Sequence, residues 1–167
     1  MTVTGRRYQR REGFTLIELM IVIAIIAIIA AIAIPNLIQA RMHANEGAAI
    51  GGLKTLGTAE QLFREGDKEK DGNLDYGMLS ELNNTQVVDS IIGSGTKQGY
   101  FFVATYSFTT SEYLWFATAN PVLPFTTGER YFATNMAGVI FYTSGRGLLA
   151  DTNTCVLPNS GVIPTGK

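Results

Sequence analysis

The residue of this sequence with the most unusual chemical setting is Glu18, which stands just inside a long apolar segment. Residues 19–34 carry no polar side chain. A carboxylate near the centre of a bilayer costs ~2.5–3.5 kcal/mol on insertion scales, and less toward the interface. An acid retained at this position is therefore expected to have a partner. Phe14 lies one helical turn earlier, on the same face of the predicted helix.

A cut in the chain after Gly13 would create such a partner. The new α-amino group of Phe14 would have a pKa near ~8, and it would lie about 6 Å from Glu18 along the helix axis. The amine of one subunit could neutralise Glu18 of another within a bundle of apolar helices, where an unpaired acid is unfavourable. Glu18 would then fix the register between neighbouring subunits.

The stretch "GFTLIEL", residues 13–19, is followed by the apolar run and Pro35. Over residues 10–41 the sequence resembles the class III signal of type IV pilins and of type II secretion pseudopilins. The resemblance implies that a prepilin peptidase cuts between Gly13 and Phe14 and methylates the new N-terminus, and that Glu18 guides assembly. It also implies an assembly platform protein and, indirectly, a cytoplasmic ATPase as partners in a prokaryotic cell.

The apolar segment by itself predicts a membrane-spanning helix. Residues 14–34 would extend for about 31 Å as a helix, close to the ~30 Å of a bilayer core. Four arginines precede the segment, and no further Lys or Arg occurs before Arg41; the four are Arg6, Arg7, Arg10 and Arg11. The positive-inside rule places the N-terminus in the cytoplasm and the residues after about 36 outside. Pro35 removes a backbone hydrogen bond and predicts a kink.

The next part of the chain reads as an amphipathic continuation of the helix. Its apolar residues follow helical spacing at Ala49, Leu53, Leu56 and Phe63. This face is expected to pack against a globular head. Four glycines interrupt the segment and indicate either flexibility or close packing, which the sequence leaves open: Gly47, Gly51, Gly52 and Gly57.

Residues 67–77, "DKEKDGNLDYG", carry oxygen-bearing side chains at alternate positions. This spacing is typical of a calcium loop, and the candidate ligands are Asp67, Glu69, Asp71, Asn73 and Asp75. The pattern departs from an EF-hand because Met78 stands where a bidentate glutamate belongs, although Glu81 could replace it. The alternative is a solvated loop whose acids are balanced by lysines. Calcium is the one cofactor that the sequence indicates.

The C-terminal part predicts a small antiparallel sheet. Residues 99–108 and 112–120 have partial alternation and many aromatics, and Thr109 to Ser111 suit a hairpin connection. Residues 130–135 and 138–143 form a second predicted hairpin with its turn at Asn135–Gly138, and the tail after Gly145 is expected to be irregular. The aromatic residues could bind a ligand on the surface, but a small head needs them for its core.

The predicted fold class is therefore α+β: a long N-terminal helix, half transmembrane and half amphipathic, packed on a small antiparallel head. The expected parts are a leader (1–13), the membrane helix (14–36), the amphipathic half (37–65), a connection with short helices (66–98) and the sheet with its tail (99–167).

Composition and motifs exclude other functions. The chain has 13 Lys and Arg against 14 Asp and Glu and a single histidine, His43. Without a basic stripe there is no evident nucleic-acid binding, and the lone Cys155 forms no intrachain disulfide. No G-x-S-x-G motif or catalytic constellation is present, so we expect no enzyme. The predicted function is a structural subunit of a type IV pilus-like filament built from copies of itself, anchored in the inner membrane before assembly. A pseudopilin of a periplasmic type II secretion filament is the alternative.

Overall fold

The computed structural model describes residues 13–70, 72–145, 155 and 162–165. Its longest element is helix α1 (Leu16–Glu65). The chain divides into two compact units, Met1–Leu37 and Ile38–Lys167. The second unit is called the head below, and the two units are described separately.

In the first unit, the described residues are the beginning of α1 and the three residues before it. The isoleucine, leucine and valine side chains of this part are exposed; Ile21 and Ile28, for example, are 54% and 65% exposed. Helix α1 is long and apolar enough to cross a membrane on length and composition, with a mean hydropathy of 3.1 over its most apolar window. An all-round apolar helix of this kind is stable where no water competes for its backbone groups. Pro35 lies inside α1, and the kink stays a prediction.

The head begins with the remainder of α1 and continues with two short helices, α2 (Leu79–Asn84) and α3 (Ser90–Gly93). Each is capped by an acid. The Glu81 carboxylate accepts a hydrogen bond from the Met78 amide at 2.6 Å, and Asp89 Oδ1 accepts one from the Ile92 amide at 2.7 Å. Side-chain acceptors at these positions satisfy amides that the first helical turn leaves without partners.

A six-stranded antiparallel sheet completes the head. Its strands follow one another in chain order, so every strand pairs with its sequence neighbours. They are β1 (Thr96–Lys97), β2 (Tyr100–Tyr106), β3 (Trp115–Pro121), β4 (Tyr131–Asn135), β5 (Phe141–Thr143) and β6 (Ile163–Pro164). The central pair, β2 and β3, runs in register from Tyr100↔Pro121 to Tyr106↔Trp115.

The main core lies between α1 and one face of the sheet. Leu53, Leu56 and Phe63 are almost completely buried, as their helical spacing predicts. The sheet contributes large aromatic side chains and small residues that admit them, namely Tyr100, Phe102, Ala104, Trp115, Ala117, Ala119 and Phe132. These aromatics form core, as a small head requires. The α+β fold class is thereby confirmed.

The first hairpin differs from its prediction at both ends. Strand β2 stops at Tyr106, and β3 starts only at Trp115, so the connection spans residues 107–114 rather than 109–111. The Ser107 hydroxyl accepts hydrogen bonds from the Thr109 amide and the Thr110 hydroxyl, which turns the chain early. Local side-chain bonds of this kind compete with strand pairing. Phe108, the last residue of the predicted strand, consequently lies outside β2 and is 66% exposed.

The second hairpin has the expected turn but a shorter last strand. The Gly138 amide donates to the Asn135 carbonyl at 2.9 Å, and Gly138 has a φ of +70°, a conformation that glycine adopts at low cost. Strand β5 begins at Phe141 rather than at residue 138.

Two short strands were not predicted. Strand β1 lies in a glycine-rich segment, and β6 pairs with β5 inside a tail expected to be irregular. The described part of the tail covers the second face of the sheet, where Cys155 packs with Phe116 and Ala133.

Candidate processing and assembly site

The Gly13–Phe14 bond stands immediately before the helix. Neither residue is helical, and α1 begins at Leu16. Phe14 is 92% exposed, and a Cβ built on Gly13 would meet no atom within 4 Å. The bond is therefore in an open segment of chain, accessible to another molecule. Residues 1–12, which the sequence predicts to belong to a leader, lie outside the described residues.

Glu18 and Thr15 cap the start of α1 reciprocally. The Glu18 Oε2 accepts hydrogen bonds from the Thr15 amide at 2.8 Å and from the Thr15 hydroxyl at 2.6 Å. The Thr15 hydroxyl oxygen in turn accepts one from the Glu18 amide at 3.3 Å. This is a capping box, in which a threonine and the acid three residues later satisfy each other's amides. Glu18 thus stabilises its own helix before any partner subunit is considered.

The sequence reasoning missed this second role, although the signal was present. The pattern threonine, two residues, glutamate directly before an apolar run is the known signature of a capping box. Both contacts to Thr15 use the same carboxylate oxygen, Oε2. Among the described residues, no hydrogen bond to the other oxygen of Glu18, Oε1, accompanies these contacts.

In the head, Glu46 forms the best-connected polar contact between α1 and the sheet. Its Oε2 accepts hydrogen bonds from Arg130 Nη2 at 2.7 Å and Arg130 Nε at 2.9 Å. Its Oε1 accepts from the backbone amides of Glu129 and Arg130 at 3.0 and 3.1 Å. The Glu46 side chain is only 3% exposed. Burial raises the pKa of a carboxyl group, but these donors outweigh it, so the pKa of Glu46 lies below its ordinary value.

Arg130 is itself held by aromatic rings. Its guanidinium carbon lies 5.5 Å from the ring centre of Phe132 and 5.2 Å from that of Tyr142. Cation–π contacts of this length fix the direction of the side chain. The pair of Glu46 and Arg130 therefore ties α1 firmly to the segment that joins β3 to β4.

Glu60 is the second acid on the packed face of α1. Unlike Glu46, it is buried without a cation beside it among the described residues. Its side chain is buried, and Oε2 accepts one hydrogen bond, from the Gly77 amide at 3.0 Å. Oε1 has no hydrogen-bond partner among the described residues. Burial and the nearby Glu81 raise the pKa of Glu60 to about 8, so this carboxyl group is mostly protonated at neutral pH.

The predicted calcium loop follows α1. Asp67 Oδ2 accepts a hydrogen bond from the Gly72 amide at 3.3 Å, and Glu81 is engaged in capping α2. Within the described ranges, no three acidic, histidine or cysteine side chains come together as a metal site. Asp71 lies outside the described residues. Calcium binding through Asp67, Glu69, Asp71, Asn73 and Asp75 stays a prediction.

Comparison with known proteins gives one match to the N-terminal segment and two matches that cover a larger part of the chain. The family described as prokaryotic N-terminal methylation motif matches residues 8–34. The type IV major pilin protein PilA of Myxococcus xanthus is 47% identical over 76 residues, which are 45% of this chain and 34% of that protein. The type IV wide pilus major component PilA4 of Thermus thermophilus is 37% identical over 110 residues, 64% of this chain and 79% of that protein. No solved structure matches the chain.

An acid-bearing methylation motif on an apolar helix, joined to an α+β head, defines a pilin-like protein. The match to most of the Thermus pilin goes further: the chain belongs to the type IV pilin family. It spans about a third of the length of the Myxococcus relative.

Proposed function

We propose that this chain is a subunit of a type IV pilus, made as a membrane-anchored precursor and assembled through its N-terminal helix. The observation that carries the proposal is Glu18 at the start of an exposed apolar helix, within a matched methylation motif. Both relatives are named as pilus components, which favours the pilus over a secretion filament and over an enzyme.

Processing would begin at the exposed Gly13–Phe14 bond. A prepilin peptidase cuts there, and the new Phe14 amine is methylated. The cap between Thr15 and Glu18 involves neither Gly13 nor the Phe14 amine. The helix start can therefore survive the cut.

Assembly would then join two chains through charge. In the lipid bilayer an ionised Glu18 is unfavourable, and its Oε1 would accept a hydrogen bond from the Phe14 amine of a neighbouring subunit. The apolar side chains of α1 pack against those of other copies around this contact. A platform protein and a cytoplasmic ATPase would drive extension, with the heads outside the membrane.

The test compares two substitutions of Glu18. Glu18→Val should insert and be cleaved, yet incorporate poorly into filaments. Glu18→Gln keeps a hydrogen-bond acceptor for the cap but removes the charge, so it should fail to a similar degree. The chain is quantified in the sheared surface fraction, and cleavage is checked by mass spectrometry of the N-terminus.

The matched control is Thr15→Val, which removes the two hydroxyl bonds of the capping box, keeps the bond from the residue 15 amide to Glu18 and leaves the acid. It should weaken the helix start by roughly 0.5–2 kcal/mol and still assemble. Full assembly of Glu18→Gln together with failure of Thr15→Val would show that the capping box, rather than pairing with an amine, is what assembly requires. Electron microscopy of the same fraction separates long pili from short periplasmic filaments.

A further inference from the structure

We propose that the loop between β3 and β4 docks the head onto the surface of the bilayer that anchors α1. The loop carries four consecutive exposed apolar residues, 122–125, called the apolar tip below. Val122, Leu123 and Phe125 are 50%, 57% and 73% exposed. Contiguous apolar residues on a surface mark a contact with a protein or a membrane. The inference rests on the membrane anchoring proposed above.

The position of the loop within the head is the first argument. Asn45 Nδ2 donates a hydrogen bond to the Thr127 carbonyl at 2.9 Å, whereas Phe102, further along β2, faces Gly52. The loop therefore lies at the end of the head where α1 enters it. Ile38, an exposed apolar residue that follows the apolar segment, precedes Asn45 by about 10 Å of helix. The tip thus lies at the end of the head from which the apolar helix extends in sequence.

The conformation of the tip is the second argument. Phe125 has a φ of +61°, which is rare for a bulky residue and is found where the surroundings impose it. Its amide donates to the Gly128 carbonyl at 2.9 Å. The base of the loop is held by the pair of Glu46 and Arg130. The exposed ring of Phe125 is thus presented on a tethered turn, a preorganised arrangement that reduces the entropy lost on binding.

Charge is the third argument, and it favours lipid over a second copy of the chain. Arg41 is exposed on the same stretch of α1, where a basic group can meet headgroup phosphates. Apolar and aromatic residues beside basic ones are typical of segments that lie in a membrane interface.

The experiment uses the full chain in vesicles of phosphatidylcholine and phosphatidylglycerol whose acyl chains carry bromine near the headgroups. Phe125→Trp adds a tryptophan to the tip. Phe108→Trp is the matched control: Phe108 is 66% exposed but lies in the β2–β3 connection, at the other end of the head. The native Trp115 is buried in both variants and supplies a common background.

The proposal expects bromine to quench the added tryptophan of Phe125→Trp by on the order of half, since interfacial groups enter ~5–10 Å into the headgroup region. The added tryptophan of Phe108→Trp should keep its emission. Equal quenching of both, or of neither, in chains that float with the vesicles would overturn the docking and leave the anchoring intact. If the added tryptophan of Phe125→Trp escapes bromine quenching but becomes less accessible to solvent as the protein density in the vesicles rises, the tip contacts a second copy of the chain. That result would also overturn the docking to lipid. Failure to float with vesicles would reject the anchoring and the docking together.

Discussion

Two buried glutamates of the same helix face, Glu46 and Glu60, show how differently the two ends of the head are built. Glu46 lies where α1 enters the head and is ionised, with four hydrogen bonds from residues 129 and 130. Glu60 lies about four turns further on, has one hydrogen bond and a pKa raised to about 8. The ionised Glu46 binds α1 to residues 129 and 130 through charged hydrogen bonds. The contact between Glu60 and Gly77 depends instead on pH, because Glu60 titrates near neutrality.

The difference follows from the partners that the fold supplies. Arg130 reaches Glu46 from the loop between β3 and β4, so the charge is matched in the buried site. Among the described residues, the hydrogen bond to Glu60 comes from a backbone amide, and the charged group that raises its pKa, Glu81, is another acid. The end of the head that carries the apolar tip is therefore held by a charged pair, whereas the contact of Glu60 with Gly77 at the other end depends on the protonation of the acid.

The largest expected effect comes from removing the ion pair between Glu46 and Arg130. Arg130→Ala leaves the Glu46 carboxylate buried without its cation. Because Arg130 itself is 36% exposed and two backbone amides still bind Glu46, the free energy of unfolding of the head should fall by an amount toward the lower end of about 3–5 kcal/mol. The measurement is urea unfolding of the full chain in detergent, followed by the emission of Trp115. Lys97→Ala is the control, because its pair with Asp89 is partly exposed, and it should cost under about 1 kcal/mol. Equal losses in both variants would contradict the special role of the buried pair.

The next effect concerns the pH dependence of Glu60. Its folded-state pKa of about 8 is above the ordinary 4.5, so the folded head binds this proton more tightly than the unfolded chain does. The contribution is complete below pH 4.5 and is lost as the pH rises to about 8, a change of about 2–4 kcal/mol. Glu46 acts in the opposite direction, since its lowered pKa makes its contribution fall as the solution becomes acidic.

Glu60→Gln separates the pH-dependent contribution of Glu60 to stability from that of Glu46. The amide keeps a group of similar size and loses the titration, so the decline in stability between pH 4.5 and 8 should become much smaller. Urea unfolding at several pH values measures it in both proteins. An unchanged slope in Glu60→Gln would mean that another group is responsible.

The smallest effect concerns the packing of α1 on the sheet at Gly52, which lies between Glu46 and Glu60 in the sequence. A Cβ on Gly52 would lie 2.7 Å from the ring of Phe102, which is buried and has little room to move. Gly52→Ala should therefore cost about 1–3 kcal/mol. The neighbouring Gly51 is exposed, with nothing within 4 Å, and Gly51→Ala should stabilise the helix by up to about 1 kcal/mol. The thermal midpoint of each variant measures the effect; the same sign in both would contradict close packing at Gly52.

The sequence carried the fold class because its signals are local, whereas the roles of Gly13, Phe14 and Glu18 stay predictions. The apolar run and the spacing of Leu53, Leu56 and Phe63 each depend on nearby residues. Glu46 and Glu60 also lie on that buried helical stripe, and their positions could have been read from the same period. Their environments could not, since Arg130 is distant in sequence and only the folded sheet brings it to Glu46.

The errors in the strands have a similar cause. Aromatic alternation continues to Phe108, but the hydroxyl of Ser107 binds the residues just after it and ends β2 early. Strands β1 and β6 have only two residues each and depend on a partner strand to form. The pattern of residue types along a segment does not show which partner strand will lie beside it.

The brevity of these two strands has a consequence for solubility. The outermost strands of the described sheet have only two residues each. Edge strands this short offer little continuous backbone to a strand from another molecule, which lowers the tendency of crowded heads to pair edge to edge.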